Sequence, residues 1–347
     1  MKKAVLLIFM CVMISILAAG KASGDSFSEM PWLGETRNDE RATIANIQKA
    51  REMLFYERAP RGGFILAVMA GDEIMSVRVS RLGRGYSEEL AIRRITKNGV
   101  NSRFEVMEPV DGFVLALRKN VRGRAAIYTP WSLELDSREL MSAGYGYMNA
   151  MVDRAYNRLY MRVRSRALPR KSVVEVVPRD IIFTLIFVEH IDGSVMRSGD
   201  SVVPFAQKTL VMFGANGRDS FRYSRSRAGA RGIGQIMPAT YAATRRAYQE
   251  ARLLRSFLAG TEDHENSVMA MYCLLDSVIA NLQPWQRQRL LARGNEMNLG
   301  FYLAAAYNAG NSNAQRMFNR YMFARERRRH VARKMYLGKF EAVWNLR

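Results

Sequence analysis

Cysteine is almost missing from this 347-residue chain: there are two, Cys11 and Cys273. Cys11 lies inside an apolar N-terminal run, so the rest of the chain carries one thiol and no internal disulfide can staple it. A hydrophobic core must hold the fold, and a chain of this length suggests about two domains. Histidine is scarce too, with three residues, His190, His264 and His330. They form no His-x-x-x-His pair and no Asp-rich calcium loop accompanies them, so no metal site is indicated and no cofactor is implied. Beyond residue 19 no apolar stretch is long enough to cross a bilayer. Acidic residues are few, 32 Asp+Glu against 53 Lys+Arg, which leaves a formal charge of +21.

What is present begins with Met1-Lys2-Lys3 and an apolar run over residues 4–19 broken only by Ser15. A positive start followed by such a run reads as a secretory signal peptide, with small residues for cleavage at Ala18-Ala19-Gly20 or Ala22-Ser23-Gly24. Residues 1–24 are therefore expected to direct the chain to the periplasm or cell envelope, with an uncleaved membrane anchor as the other reading. Cys11 lacks the context of a lipid attachment site. The cations are ten lysines and 43 arginines. An exported chain meets anionic cell wall rather than nucleic acid, so the excess points to wall binding. The alternative is an arginine-rich composition spread over a solvated surface, and composition does not separate the two.

The pattern along the chain is mixed, and the expected fold class is α+β. Residues 25–38 read as a linker and 39–56 as a helix. Two β-like runs, 63–70 and 73–80, flank Gly71-Asp72, a strong hairpin signal. A helix is expected over 87–97, with Ser87 as its cap, then strands over 103–107, 112–117 and 124–128. A long helical pattern covers 136–166 and leads through Pro169-Arg170-Lys171. From Pro178 onward the pattern is helical: 179–190, 202–213, 238–248, 263–282, 284–291 and 298–309, around a turn-rich stretch at 214–234. Residues 25–170 are thus expected to form a small α+β domain without a chemical motif, and 171–347 a compact helical one. The arginines of 325–333 read as a solvated basic helix face.

Two segments carry chemistry. The first runs Ser226-Arg227-Ala228-Gly229-Ala230-Arg231-Gly232-Ile233-Gly234-Gln235-Ile236-Met237-Pro238, and the second is Ala306-Tyr307-Asn308-Ala309-Gly310. In the first, Gly229, Gly232 and Gly234 let the backbone turn tightly and approach a bulky polymer, while Ile233, Ile236 and Met237 can anchor the loop. Together the two segments resemble the transglycosylase SLT domain of lytic murein transglycosylases. The resemblance covers roughly residues 178–325 and does not reach the N-terminal half. It implies a lysozyme-like helical domain that cleaves peptidoglycan glycan strands with no cofactor. It gives Ser226 a hydrogen bond near the catalytic acid, Gln235 and Met237 places along the sugar groove, and Tyr307 and Asn308 positions opposite the acid.

The acid of that family is a glutamate at the end of an apolar helix, a dozen or so residues before the Gly-Ala pair. Here the apolar helix containing Ile181, Ile182, Leu185, Ile186 and Val188 ends at Glu189, which precedes Gly229 by 40 residues. That spacing implies an inserted segment. Asp219, ten residues before Gly229, is the competing carboxylate, but no apolar helix precedes it. Glu189 is the preferred acid, because a helix end of this kind supplies the desolvation that raises a carboxyl pKa. Adjacent helical residues diverge, so His190 reads as an ordinary polar residue. Asp192 would lie on the same side of the sugar as Glu189. With one carboxylate, the resemblance implies a lyase that closes the muramic acid 6-hydroxyl on C1 to give 1,6-anhydro ends. Two further readings stand beside it: a wall-binding protein that keeps the fold without the acid, and a wall-opening enzyme of a secretion or conjugation machine, with residues 25–170 docking an envelope partner.

Overall fold

The computed structural model describes residues 41–87, 89–192, 201–321 and 335–346. It is mixed helix and sheet, as the α+β pattern indicates. The expected signal peptide, Cys11, His330 and the arginine-rich run 325–333 lie outside the described residues. Two compact units emerge, one formed by residues up to 148 with 207–223, the other by 149–206 with 224–347. The contacts thus place 149–170 with the C-terminal unit rather than with the α+β domain expected over 25–170. They also give residues 207–223 to the N-terminal unit.

In the first unit, α1 (Ile44–Phe55) starts where the Thr43 hydroxyl accepts from the Asn46 amide. The hairpin of β1 (Phe64–Ala70) and β2 (Glu73–Val79) turns at Gly71 in register Ala70↔Glu73, as its Gly-Asp signal indicates. Strands β3 (Arg84–Tyr86), β4 (Ala91–Arg94) and β5 (Phe104–Glu108) form a second sheet. The first is completed by β6 (Phe113–Val121) and β7 (Arg124–Tyr128), in order β2-β1-β6-β7. All neighbours are antiparallel. Phe64, Leu66 and Val68 on one face of β1 join Val77, Val114 and Leu117 in the core, while α1 packs on β1 and β6.

The helix expected over 87–97 is absent. Ser87 does make a cap-like bond, its hydroxyl accepting from the Leu90 amide, but its own amide donates to the Leu90 carbonyl and the chain reverses into β4. Ile92 is buried beside exposed Arg93, a period of two, and burying Ile92 in the sheet core overrides the local cap signal. Buried Asn216 explains why the 207–223 segment belongs here. Its side-chain oxygen accepts from the Thr129 amide at 2.8 Å and its nitrogen donates to the Thr129 carbonyl at 3.1 Å.

The expected long helix, α2 (Arg138–Tyr160), ends six residues early, and the chain continues as an ordered hairpin over 163–173. In the second unit a one-turn helix, α3 (Val173–Val176), precedes α4 (Arg179–His190); α5 (Val203–Asn216) runs into the first unit. Then follow α6 (Pro238–Ala247), α7 (Phe257–Glu262), α8 (His264–Ala280), α9 (Pro284–Leu290), α10 (Glu296–Ala309), α11 (Asn311–Tyr321) and α12 (Met335–Trp344). Asp263 caps α8 by accepting from the Asn266 amide, and α8 is buried along nearly its whole length. It packs on α3, α4, α6, α7 and α10, while α12 packs on both α4 and α10.

Candidate active site

Helix α4 is buried from Ile181 to Val188 and apolar there except for Thr184, whose hydroxyl donates to the Asp180 carbonyl, so its first charged side chain at the far end is Glu189. Helix ends leave carbonyls without intrahelical partners, and a buried end must satisfy them. Lys339 of α12 does so, its ammonium donating to the Val188 and Ile191 carbonyls at 2.9 Å each. A cation at a helix C-terminus is also favoured by the helix dipole. One turn earlier on α12, the Tyr336 hydroxyl donates to Glu189 Oε1 at 2.5 Å. Tyr-x-x-Lys spacing puts both groups on one helix face.

Glu189 is half-buried, and its pKa is pushed up from 4.5 to about 7. Burial is the main cause; the Tyr336 hydrogen bond and the nearby Lys339 charge oppose it. No carboxylate is among these influences. The Tyr336 hydroxyl is itself held far above its ordinary range by burial and by Glu189, so it stays a donor. Lys339 has its pKa lowered by burial, against the pull of Glu189 and Asp192. Asp192 lies two residues past the helix end and is exposed, so it does not share a helical face with Glu189.

The glycine-rich loop sits beside this helix end. His190 Nε2 donates to the Ile233 carbonyl at 3.0 Å, and burial holds the imidazole neutral with a pKa of about 3. His190 therefore pins the loop to α4, a role its sequence context did not reveal. Buried Ile233 and Ile236 anchor the loop, as their spacing suggests. Gly232 is left-handed at φ +71°, and a Cβ there would fall 2.1 Å from the Thr261 carbonyl oxygen. At Gly234 a Cβ would meet Met271 Sδ at 2.9 Å and the Tyr307 hydroxyl at 3.0 Å. Tyr307, in the last turn of α10, donates its hydroxyl to the Gly234 carbonyl. Its pKa is raised by burial and then by the charge of Glu189, so the acid is within electrostatic reach.

The structure thus gathers Glu189, Tyr307 and the Gly232–Gln235 backbone. Gln235 has positive φ, and its side chain donates to Ser224 Oγ at 2.9 Å and the Gly232 carbonyl at 2.8 Å. The Ser226 hydroxyl accepts from the Ala230 amide within the loop, whereas the hydrogen bond to Glu189 comes from Tyr336. Met237 is 38% exposed at the N-cap of α6. Exposed Asn308 lines a cleft of about 410 Å³ with Asn313, Met317, Met335, Tyr336 and Lys339.

Asp219 is in the other unit, where it pairs with Arg51 at 3.0 Å and Arg222 at 3.1 Å. Its carboxylate is committed to holding that segment. Sequence reasoning missed Tyr336 and Lys339, since no element had been assigned beyond residue 333. The one available signal was the Tyr-x-x-Lys face within an apolar segment. Among the described residues no group of three His, Cys, Asp or Glu side chains is gathered as a metal site requires. Comparison with family models, curated proteins and solved structures gives no match.

Proposed function

We propose that the second unit is a lysozyme-like lytic transglycosylase that cleaves the MurNAc-GlcNAc β-1,4 bond of peptidoglycan in the cell envelope. The observation that carries this reading is Glu189, a half-buried carboxyl with a pKa near 7 beside a glycine-walled loop and Tyr307. At neutral pH such a group is about half protonated, so both a donor and an acceptor form are on hand.

Retaining and inverting glycosidases place a second carboxylate about 5 to 9.5 Å from the first. Of the two other candidate carboxylates, Asp219 is paired within the other unit and Asp192 is exposed past the end of α4. A single group completes the reaction if it protonates the glycosidic oxygen as the C1–O bond breaks. The resulting carboxylate then takes the proton of the muramic acid 6-hydroxyl, whose oxygen bonds to C1. Protons balance, no water enters, and the product ends are 1,6-anhydromuramoyl. Gly232 and Gly234 let the loop pack closely on Thr261, Met271 and Tyr307 beside Glu189, and Asn308 and Asn313 supply amides along the neighbouring cleft.

Mass spectrometry of digested murein sacculi tests the reading. New ends lighter by one water, formed by the wild type and not by Glu189→Gln, are expected. Reducing ends carrying solvent ¹⁸O would replace the lyase reading with hydrolysis. No cleavage by either protein would leave a wall-binding role.

A further inference from the structure

The hairpin that follows α2 is unrelated to the site around Glu189, and its charge is unusual. Between Asp153 and Glu175 the chain has no acidic residue and seven cations: Arg154, Arg158, Arg162, Arg164, Arg166, Arg170 and Lys171. Arg154 and Arg158 both pair with Glu265 of α8. The remaining five lie on the hairpin. Exposure alternates along it, with Arg162, Arg164 and Arg166 outside and Val163, Ser165 and Ala167 at most 3% exposed. In extended chain, residues two apart lie about 6.6 Å from one another, so the three arginines form a closely spaced row.

The row is held rigidly. Val163 and Val173 are joined by a backbone bond at 3.1 Å, and Ser165 and Lys171 by another at 2.9 Å. Beneath them is Asp276 of α8, fully buried. Its carboxylate accepts from Ser165 Oγ at 2.5 Å, the Arg166 amide at 2.7 Å and the Tyr248 hydroxyl at 2.7 Å. The Arg166 guanidinium lies over the Tyr248 ring at 4.9 Å and donates to the Ala247 carbonyl. Arg287 adds a bond to the Ala167 carbonyl at 3.0 Å. A buried carboxylate with three donors thus fixes a loop whose charged residues on the outward side are all cationic. Arg166 has that structural role, but no side-chain hydrogen bond or ion pair among the described residues requires Arg162, Arg164 or Arg170 to be arginine.

At the tip of the row, Met161 is 73% exposed and Tyr160 41% exposed. Arginines flanking exposed methionine and tyrosine match a lipid surface, where cations meet phosphates and the apolar groups enter the headgroup layer. A purely electrostatic partner gives no use to Met161. The apolar run at residues 4–19, read as an export signal, brings the chain to a membrane in the same way. We propose that the 160–171 hairpin docks the second unit on an anionic phospholipid surface.

The test is co-sedimentation with vesicles, using the chain from residue 25 onward, which keeps every described element. Arg162, Arg164 and Arg170 take part in no ion pair among the described residues. Replacing them should therefore leave the thermal midpoint and murein digestion unchanged. Each basic residue near an anionic bilayer contributes about five-fold in partitioning, so R162Q/R164Q/R170Q should weaken binding to phosphatidylglycerol vesicles about a hundred-fold. Phosphatidylcholine vesicles should bind neither protein. Met161→Ser should weaken vesicle binding about ten-fold and leave any binding to soluble polyphosphate unchanged. Wild-type vesicle binding by the triple variant overturns the proposal. So does single-stranded RNA bound more tightly than vesicles, with Met161→Ser without effect, which would make the hairpin a nucleic-acid surface.

Discussion

The raised pKa of Glu189 makes a measurable claim about stability. In the unfolded chain its carboxyl titrates near 4.5, and in the folded unit near 7. Between those values the unfolded state binds fewer protons than the native state, so stability falls as pH rises. The contribution of the neutral carboxyl is fully present below pH 4.5 and lost above pH 7. Its size follows from the two pKa values, about 3 kcal/mol at most. Glu189→Gln keeps the shape and removes the ionisation, so the variant should not show this loss. The two proteins should melt together near pH 4, and the variant should melt higher by about 5 to 10 °C at pH 8. Scanning calorimetry from pH 4 to 9 measures the gap directly. A gap that does not change with pH would mean that the carboxyl is not desolvated in the folded state. The case for Glu189 as a proton donor at neutral pH would then be lost.

Other perturbations separate the parts of the site. Tyr336→Phe removes a hydrogen bond that lowers the pKa of Glu189; the alkaline limb of the pH profile for murein digestion should move to higher pH, while the maximal rate falls because the carboxyl loses its anchor. Gly234→Ala puts a Cβ 3.0 Å from the Tyr307 hydroxyl and 2.9 Å from Met271 Sδ, side-chain rather than backbone atoms, so activity should drop with a smaller loss of thermal midpoint than Gly232→Ala causes. Gly232→Ala meets backbone at 2.1 Å in a left-handed conformation and should cost more than about 3 kcal/mol by denaturant titration. Asp219→Asn should leave murein cleavage intact and lower the stability of the first unit by about 1 kcal/mol, through loss of partly exposed pairs with Arg51 and Arg222.

Much of this was legible in the sequence where local signals and burial agree. The Gly71-Asp72 turn, the apolar run ending at Glu189, and Asp263 ahead of α8 each gave an element close to its true bounds. Where they disagreed, burial won. Ser87 signals a helix start, yet Ile92 is needed in a sheet core, and the segment became a reversal at Ser87–Leu90 followed by β4. The position of Glu189 at a buried helix end was legible because an apolar helix with a terminal carboxylate is a one-dimensional pattern. Its partners were not, because Tyr336 and Lys339 are 147 and 150 residues away and meet it only through the packing of α12 on α4. His190 illustrates the same limit. Its neighbours in sequence say nothing of the Ile233 carbonyl that it holds.

Tyr336 and Lys339 also bear on why one carboxyl can suffice in the proposed lyase reaction. A group that must give a proton and then take one within the same turnover needs a pKa close to the ambient pH. Burial alone would hold Glu189 protonated at neutral pH, a ready donor whose conjugate base forms only at high cost. A fully solvated glutamate would have the opposite fault, since too few molecules would carry the proton. At the end of α4 the two tendencies are set against each other. Desolvation raises the pKa; the Tyr336 hydroxyl and the Lys339 ammonium, fixed by the Val188 and Ile191 carbonyls, lower it. Because Lys339 satisfies the helix end, its ammonium is positioned by the Val188 and Ile191 carbonyls rather than by the carboxylate. The value near 7 is therefore a property of two chain segments packed together, α4 and α12, which is what the proposed acid and base work by a single residue requires.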